Sequence, residues 1–171
     1  MKTLYLVRHA KSSWDDPSLA DHDRPLNKRG LRDAPVMGQR LAGHQVRVDA
    51  IWTSTAQRAV ETARHLARAL NFPRKEIRLH DRLYTSAIDD LLLAISSCPD
   101  EVKSLLVVGH NPVISEFASF LIRPGSNKDI WPIPTCGIVT LEFSLSSWQQ
   151  IGAEEGRLLF FDYPKKGATS V

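Results

Sequence analysis

The sequence predicts an α/β fold, a three-layer α/β/α sandwich around a mainly parallel central sheet. Three observations carry this expectation. Short apolar runs alternate with helix-period stretches from residue 3 to residue 121. Ser104-Leu105-Leu106-Val107-Val108 is apolar almost throughout, the mark of a buried strand. Thr3-Leu4-Tyr5-Leu6-Val7 is equally apolar and turns abruptly polar at Arg8-His9.

The elements follow in order. Thr3–Val7 reads as the first strand. Residues 10–27 read as a long polar loop with two prolines, and loops of that length inside a domain are usually functional. Asn27 is placed to cap a helix reaching Ala42, with Gly43 as its stop. Pro35 falls inside that stretch, which moves the expected start toward Asp33. Ala50–Thr53 reads as a second strand. Ser54 or Thr55 then caps a helix from Ala56 to Leu70, with Ala59, Ala63, Leu66 and Leu70 on one face and Asn71 and Pro73 after its end. Glu76–His80 reads as a third strand. Ser86-Ala87-Ile88-Asp89 resembles a capping box that opens a helix to Ser96. Ser104–Val108 is the fourth strand. Asn111 is expected to cap the next helix, with Pro112 in its first position and its end near Leu121. Residues 123–136 are Pro-rich and irregular. Gly137–Phe143 and Arg157–Tyr163 read as strands, with another near Trp148–Ile151. The tail after Pro164 is expected to fray.

Composition bounds the function. The 171 residues predict a single domain spanning 1–171. There is no apolar run long enough for a transmembrane helix, and Arg8 and His9 end the N-terminal run too early for a signal peptide. Two cysteines, Cys98 and Cys136, make no disulfide framework, so a reducing compartment, the cytoplasm, is expected. Net charge is +3, with the basic residues scattered, which argues against nucleic-acid binding. No Cys or His spacing suggests a metal site. Nothing identifies an oligomer interface, and a monomer is the default.

Ligands of parallel sheets bind beyond the carboxyl ends of the strands. That rule selects Arg8-His9, Ser54 to Arg58, and His110-Asn111. Taken alone, Arg8-His9 is compatible with a nucleophile, a base, a ligand or a capped polar pair. His110 ends another strand in the same way, and Arg58 opens the helix after the second strand. Two arginines can clamp a phosphoryl group, and a helix N-terminus adds backbone donors. A neutral imidazole is a competent nucleophile toward phosphorus. A second imidazole, if charged, can donate to phosphoryl oxygens. Such a site stabilises phosphoryl transfer by charge and position, without a metal or cofactor.

On these residues the chain resembles the histidine phosphatase, or phosphoglycerate mutase-like, superfamily. Leu6-Val7-Arg8-His9-Ala10 is similar to its Arg-His-Gly segment. Thr53 to Thr62 is similar to its S-x-x-x-R-x-x-x-T segment, and Val107 to Asn111 to its second-histidine segment. The short length and Asp23-Arg24-Pro25-Leu26-Asn27-Lys28-Arg29-Gly30 resemble the SixA-type phosphohistidine phosphatase branch. The resemblance implies a phosphoglycerate mutase-like fold and a phosphatase whose His9 is phosphorylated in turnover. It implies that Arg8, Arg58 and His110 hold the phosphoryl oxygens, with Ser12 a further contact. Ala10 replaces the family's frequent Gly, and Asp15 stands where many relatives carry Asn. An anion there would repel phosphate, so Asp15 is expected to point away. The general acid by position is Asp81, with a loop carboxylate paired to an arginine as the alternative reading.

The other histidines, His22, His44, His65 and His80, read as structural or rim residues. The tryptophans read as core and loop anchors. Arg24 either faces the pocket mouth or locks the loop. The implied substrate is a phosphorylated protein, for which an open pocket is suited. A small phosphorylated metabolite or mutase substrate, a non-catalytic phosphate-binding module, and a metal-dependent hydrolase are the competing readings.

Overall fold

The computed structural model describes residues 1–126 and 130–166. Six strands form one sheet: β1 (Lys2–Arg8), β2 (Ala50–Thr53), β3 (Arg78–Leu79), β4 (Ser104–Gly109), β5 (Ile138–Phe143) and β6 (Arg157–Asp162), in the order β3-β2-β4-β1-β5-β6. Pairing is parallel for β1 with β4, β4 with β2, and β2 with β3, and antiparallel for β5 with both neighbours. Only β5 therefore runs against the rest, which makes the sheet mainly parallel. Four helices, α1 (Lys28–Gly43), α2 (Gln57–Ala69), α3 (Ile88–Ser96) and α4 (Val113–Leu121), cover it.

Alternation along the strands builds two cores. Leu4 and Leu6 of β1 point to one face with Leu105, Val107, Val139 and Leu141, where residues of α3 and α4 such as Leu91, Ile95, Phe117 and Leu121 close over them. Tyr5 and Val7 point to the other face with Leu106, Val108 and Ile138, under Met37 and Leu41 of α1 and Ala63 and Leu66 of α2. Both faces are covered, so β1 and β4 must be apolar at every position, which explains their unbroken runs. Three layers result. On the α1–α2 side the helices approach closely: a Cβ added to Gly38 would lie 2.7 Å from the Cβ of Ala69.

Several element boundaries differ from expectation. Helix α1 starts at Lys28, not near Asp33, because the Asn27 side chain accepts from the Gly30 N–H and Pro35 is carried in the interior. The loss is one backbone bond, the donor that the Leu31 carbonyl would have had. Glu76 belongs to a 3-10 turn, Arg74–Glu76, which leaves only two residues for β3. Ser86 does not cap α3; Thr85 accepts from the Ala87 N–H and donates to Asp90. Asn111 does not cap α4. Its side chain is spent on the Ile133 carbonyl and the Ser115 hydroxyl, and the helix begins after Pro112. Trp148–Gln150 is a 3-10 turn, not a strand, held by a capping box between Ser147 and Gln150. Of the tail expected to fray, Lys165 and Lys166 are described, with the Lys166 N–H bonded to the Tyr163 carbonyl at 3.1 Å; residues 167–171 lie outside the described residues.

Candidate active site

His9 follows β1 directly and is held by its backbone. Its N–H donates to the Gly109 carbonyl at the end of β4 (3.1 Å), and its carbonyl accepts from the Cys136 N–H (3.1 Å). The ring is 8% exposed. Nδ1 lies 2.7 Å from the Ala10 carbonyl. A carbonyl only accepts, so Nδ1 carries the proton and Nε2 keeps its lone pair. The next peptide is fixed as well: the Ala10 N–H donates to Thr62 Oγ1, and that hydroxyl donates to the Arg58 carbonyl on α2.

His110 follows β4 and meets His9 ring to ring, with centroids 5.1 Å apart. Its Nε2 is 2.7 Å from the Ser54 hydroxyl at the end of β2. Arg58 lies in the first turn of α2 and is 5% exposed. Arg8 closes β1 and donates from Nη1 to the Ile133 carbonyl at 3.0 Å. Two strand ends and one helix start thus bring together the four residues that the sequence singled out, with Ser54 at the end of β2 beside them.

Electrostatics follow from this crowding. Desolvation pushes the His9 imidazolium down to about 3, aided by the charges of His110, Arg58 and Arg8 and opposed by the hydrogen bond to Ala10. His110 is pushed down to about 4, first by burial and then by Arg58. Both rings are neutral at physiological pH. The charged His110 considered from the sequence is therefore not its resting state. Burial also lowers the Arg8 guanidinium, with Arg29 adding repulsion. Among the described residues, four buried side-chain polar atoms lack a hydrogen-bond partner. Three are here: Nε of Arg8, Nε of Arg58 and Nδ1 of His110. Leaving such groups unpaired costs about 1–3 kcal/mol each, so sites that keep them are commonly made for a ligand.

One carboxylate reaches the cluster, and the sequence did not single it out. Asp21, in a 3-10 turn of the long loop, accepts from Arg58 Nη2 (2.9 Å), from Arg24 Nη2 (3.2 Å) and from the Tyr84 hydroxyl (2.7 Å). The Tyr84 bond, then Arg58 and Arg24, hold this carboxyl well below the usual range, so it is ionised. The same bond raises the Tyr84 phenol. Tyr84 also packs edge-on against His110, with centroids 5.4 Å apart. Arg24 is 7% exposed. It donates to the Ser12 hydroxyl (2.7 Å) and the Ser13 carbonyl (3.2 Å) and lies over the Trp14 ring. It locks the loop, and its charge still reaches His110. The loop-locking reading is the one its contacts support. Ser12 is buried and engaged with Arg24.

Other expectations sort as follows. Asp81 is exposed, opens a 3-10 turn, and makes no side-chain bond or ion pair with Arg8, His9, Arg58 or His110. Asp15 is exposed. His22 stands at the rim, bonded to Thr55 and edge-on to Tyr84. His44 stacks on Phe160, and His80 packs on Trp52. His65 lies within α2 on its half-buried side. Trp52 and Trp148 are core residues, while Trp14 and Trp131 are exposed. Among the described residues, no helix is long and apolar enough to cross a membrane.

This geometry has known counterparts. The sequence profile of the histidine phosphatase superfamily (branch 1) matches residues 4–92, and the chain belongs to that family. An uncharacterized protein of Mycobacterium leprae is 35% identical over 167 residues, covering 93% of this chain and all of that one. Among solved structures, a candidate phosphohistidine phosphatase SixA from Nakamurella multipartitia superposes with TM-score 0.80 at 29% identity, covering 95% of this chain and 96% of that chain. A candidate phosphohistidine phosphatase SixA from Agrobacterium tumefaciens gives 0.79 at 30% identity, covering 95% and 98%. The fold is phosphoglycerate mutase-like, and the chain is a SixA-type, metal-independent phosphatase.

Proposed function

We propose that the chain hydrolyses phosphohistidine carried on a protein, through a covalent phospho-His9 intermediate. One observation carries this reading. His9 is neutral, its Nδ1–H is tied to Ala10, which leaves the Nε2 lone pair for attack, and the cations bearing on the ring are Arg58 and Arg8. The likeness to proteins described as candidate phosphohistidine phosphatases supports the substrate class.

The chemistry follows from the chain's own groups. The phosphoryl oxygens take the unpaired donors of Arg8 and Arg58, displacing part of the Asp21 contact. A phosphate beside His110 favours its protonated form, in which the unpaired Nδ1 becomes a donor. Nε2 of His9 attacks phosphorus as the bond to the leaving group breaks, while Ala10 stabilises the positive charge developing on the ring. A phosphohistidine substrate leaves as imidazole, already carrying its proton on the far nitrogen. Water then attacks phospho-His9 and releases inorganic phosphate and neutral His9. Ser12 and Arg24 complete the cradle in this scheme. Asp81 is the proton donor by position for an alkyl phosphate, whose alkoxide must gain a proton in flight. Both cysteines are buried thiols pushed up to about 12 by desolvation, which leaves them protonated and outside the chemistry; with two unpaired cysteines, the reading of a cytoplasmic protein stands as proposed.

The test is to trap the enzyme with ³²P-labelled phosphohistidine peptide and quench in alkali. Label that is alkali-stable, acid-labile and mapped to His9 is expected. Label on another residue, or none during active turnover, overturns the mechanism. Far higher kcat/KM for a sugar phosphate than for phosphohistidine peptides would replace the substrate and leave the mechanism intact.

A further inference from the structure

The outer face of α2 and the sheet edge beyond it form a groove that the proposed chemistry does not use. Arg64 and Arg68 are both exposed and lie one turn apart on α2. Like charges at that spacing oppose helix formation. Arg74, on the turn after the helix, joins them with Glu61, His65 and Phe72 around a cavity of about 420 Å³. A second cavity, also about 420 Å³, shares Arg64 and Arg74 and adds Lys75, Ile77 and Leu79.

The charge is not balanced from within. Among the described residues, the side chains of Arg64, Arg68, Arg74 and Lys75 take part in no hydrogen bond or ion pair. Glu61 is committed elsewhere, accepting from the Leu26 N–H at 2.8 Å. Glu76, on the same turn as Arg74 and Lys75, pairs with none of them. The floor is apolar: Phe72 and Ile77 are half-buried, and Leu79 is 51% exposed. Four cations that form no ion pair outnumber Glu61 and Glu76, and over an apolar floor this net positive groove matches an acidic segment with an apolar side chain or two. Such complementarity sets specificity and the rate of encounter.

We propose that this groove receives an acidic segment of the phosphoprotein whose phosphoryl group enters at His9. The inference rests on the substrate reading above. Its geometry follows from α2, which begins beside the site with Arg58 and runs away from it. Arg64 and Arg68 lie about 9–15 Å further along the helix axis, at 1.5 Å per residue. An extended chain covers that span in about three to five residues. Arg64 and Arg68 are turned to another face of α2 than Arg58, so the preferred carboxylates fall at least about three to five positions from the phosphohistidine.

The experiment compares phosphohistidine peptides bearing Asp-Asp-Leu-Asp at that distance with peptides bearing Ser-Ser-Ala-Ser. The acidic peptide is expected to have about tenfold higher kcat/KM, expressed in KM and fading as salt is raised. The Arg64→Glu/Arg68→Glu variant is expected to lose that preference while its turnover of p-nitrophenyl phosphate is unchanged. Arg64→Gln/Arg68→Gln, with no reversed charge, is expected to lose it in part. Equal kcat/KM for the two peptides, or a preference that survives the double reversal, overturns the groove. Binding of a fluorescent, unphosphorylated acidic peptide is followed by anisotropy in parallel. Binding that is present in the wild type and absent in R64E/R68E supports the groove even if no phosphohistidine peptide is turned over, a result that would sink only the substrate reading. Tighter binding of single-stranded DNA of equal charge would overturn it in favour of nucleic acid.

Discussion

The two sides of the site are built by different means. On the His9 side, the residue is fixed by backbone groups at the ends of β1 and β4 and just before β5. The His9 N–H, its carbonyl and its Nδ1 all have backbone partners. On the Arg58 side, the guanidinium is held by Asp21, a loop carboxylate 37 residues away whose side chain is 51% exposed. The first side has its backbone partners in place before substrate arrives. The second is satisfied by an internal anion standing where the proposed phosphate would bind. The proposed nucleophile is set by the sheet, and the proposed clamp by a loop whose carboxylate is half exposed.

The largest expected effect lies on the His9 side. His9→Ala removes the proposed nucleophile, and phosphatase activity should fall by about 10⁴-fold or more while the circular dichroism of the fold is retained. Activity near wild type would end the distinction between the two sides. Arg58→Ala should cost about 10²–10³ in kcat/KM, the usual scale for one donor to a developing charge. That loss should exceed the loss from Arg24→Ala, since Arg24 also serves the loop through Ser12 and Ser13.

The His9 side also has a pH signature. With His9 held down to about 3, kcat/KM for p-nitrophenyl phosphate should not show the loss near pH 6.5 that an ordinary histidine nucleophile would give. Stability carries the same sign. Between about pH 6.5 and 3 the unfolded chain binds a proton that folded His9 does not. Stability is therefore complete above about 6.5 and lost as pH falls through that window, by roughly 3–5 kcal/mol for a shift of this size. Urea titrations of wild type and His9→Asn between pH 7 and 5 should converge as the pH drops. Parallel curves would show that the ring is not protected.

The contrast between the two sides also explains what could be read from the sequence. Strands buried on both faces leave an unbroken apolar run, so β1, β2 and β4 were legible. So were the residues that follow them, because a polar group after a buried parallel strand sits at the ligand-binding rim. Asp21 was not legible. Its partners Arg58 and Tyr84 are 37 and 63 residues away, and the local pairing with Arg24 does not by itself set it apart from the other three aspartates of the loop. Tyr84 was missed for the same reason. Asn111 was misassigned because an asparagine before a proline suggests a cap, while its amide is claimed by Ile133 across a tertiary contact. The turn at Trp148 was legible in principle: Ser147 and Gln150 have capping-box spacing, a signal that outweighs the apolar residues around it.

On the Arg58 side, Asp21→Asn should sharpen the comparison. It removes a negative charge from Arg58, Arg24 and Tyr84 together. Inorganic phosphate and vanadate should inhibit several-fold more tightly, since the like charge is gone. Weaker inhibition would show that Asp21 serves Arg58 more by holding it than by competing for it.

The smallest effect concerns the proton. Asp21 is held ionised, so it has no proton to give. Asp81 is exposed and makes no hydrogen bond or ion pair with the four clustered residues. Neither carboxyl is poised as an acid here, which favours a leaving group that brings its own proton. A phosphohistidine does so, and an alkyl phosphate does not. Asp81→Asn should then change kcat/KM for a phosphohistidine peptide by less than about twofold. For a phosphoserine peptide, which this argument makes the poorer substrate, the loss should be larger, since Asp81 is the exposed carboxyl by position that could still reach the alkoxide. The ratio of the two effects is the measurement. An equal loss on both substrates would place Asp81 in binding or folding, and a large loss on phosphohistidine alone would overturn the argument that this leaving group needs no acid.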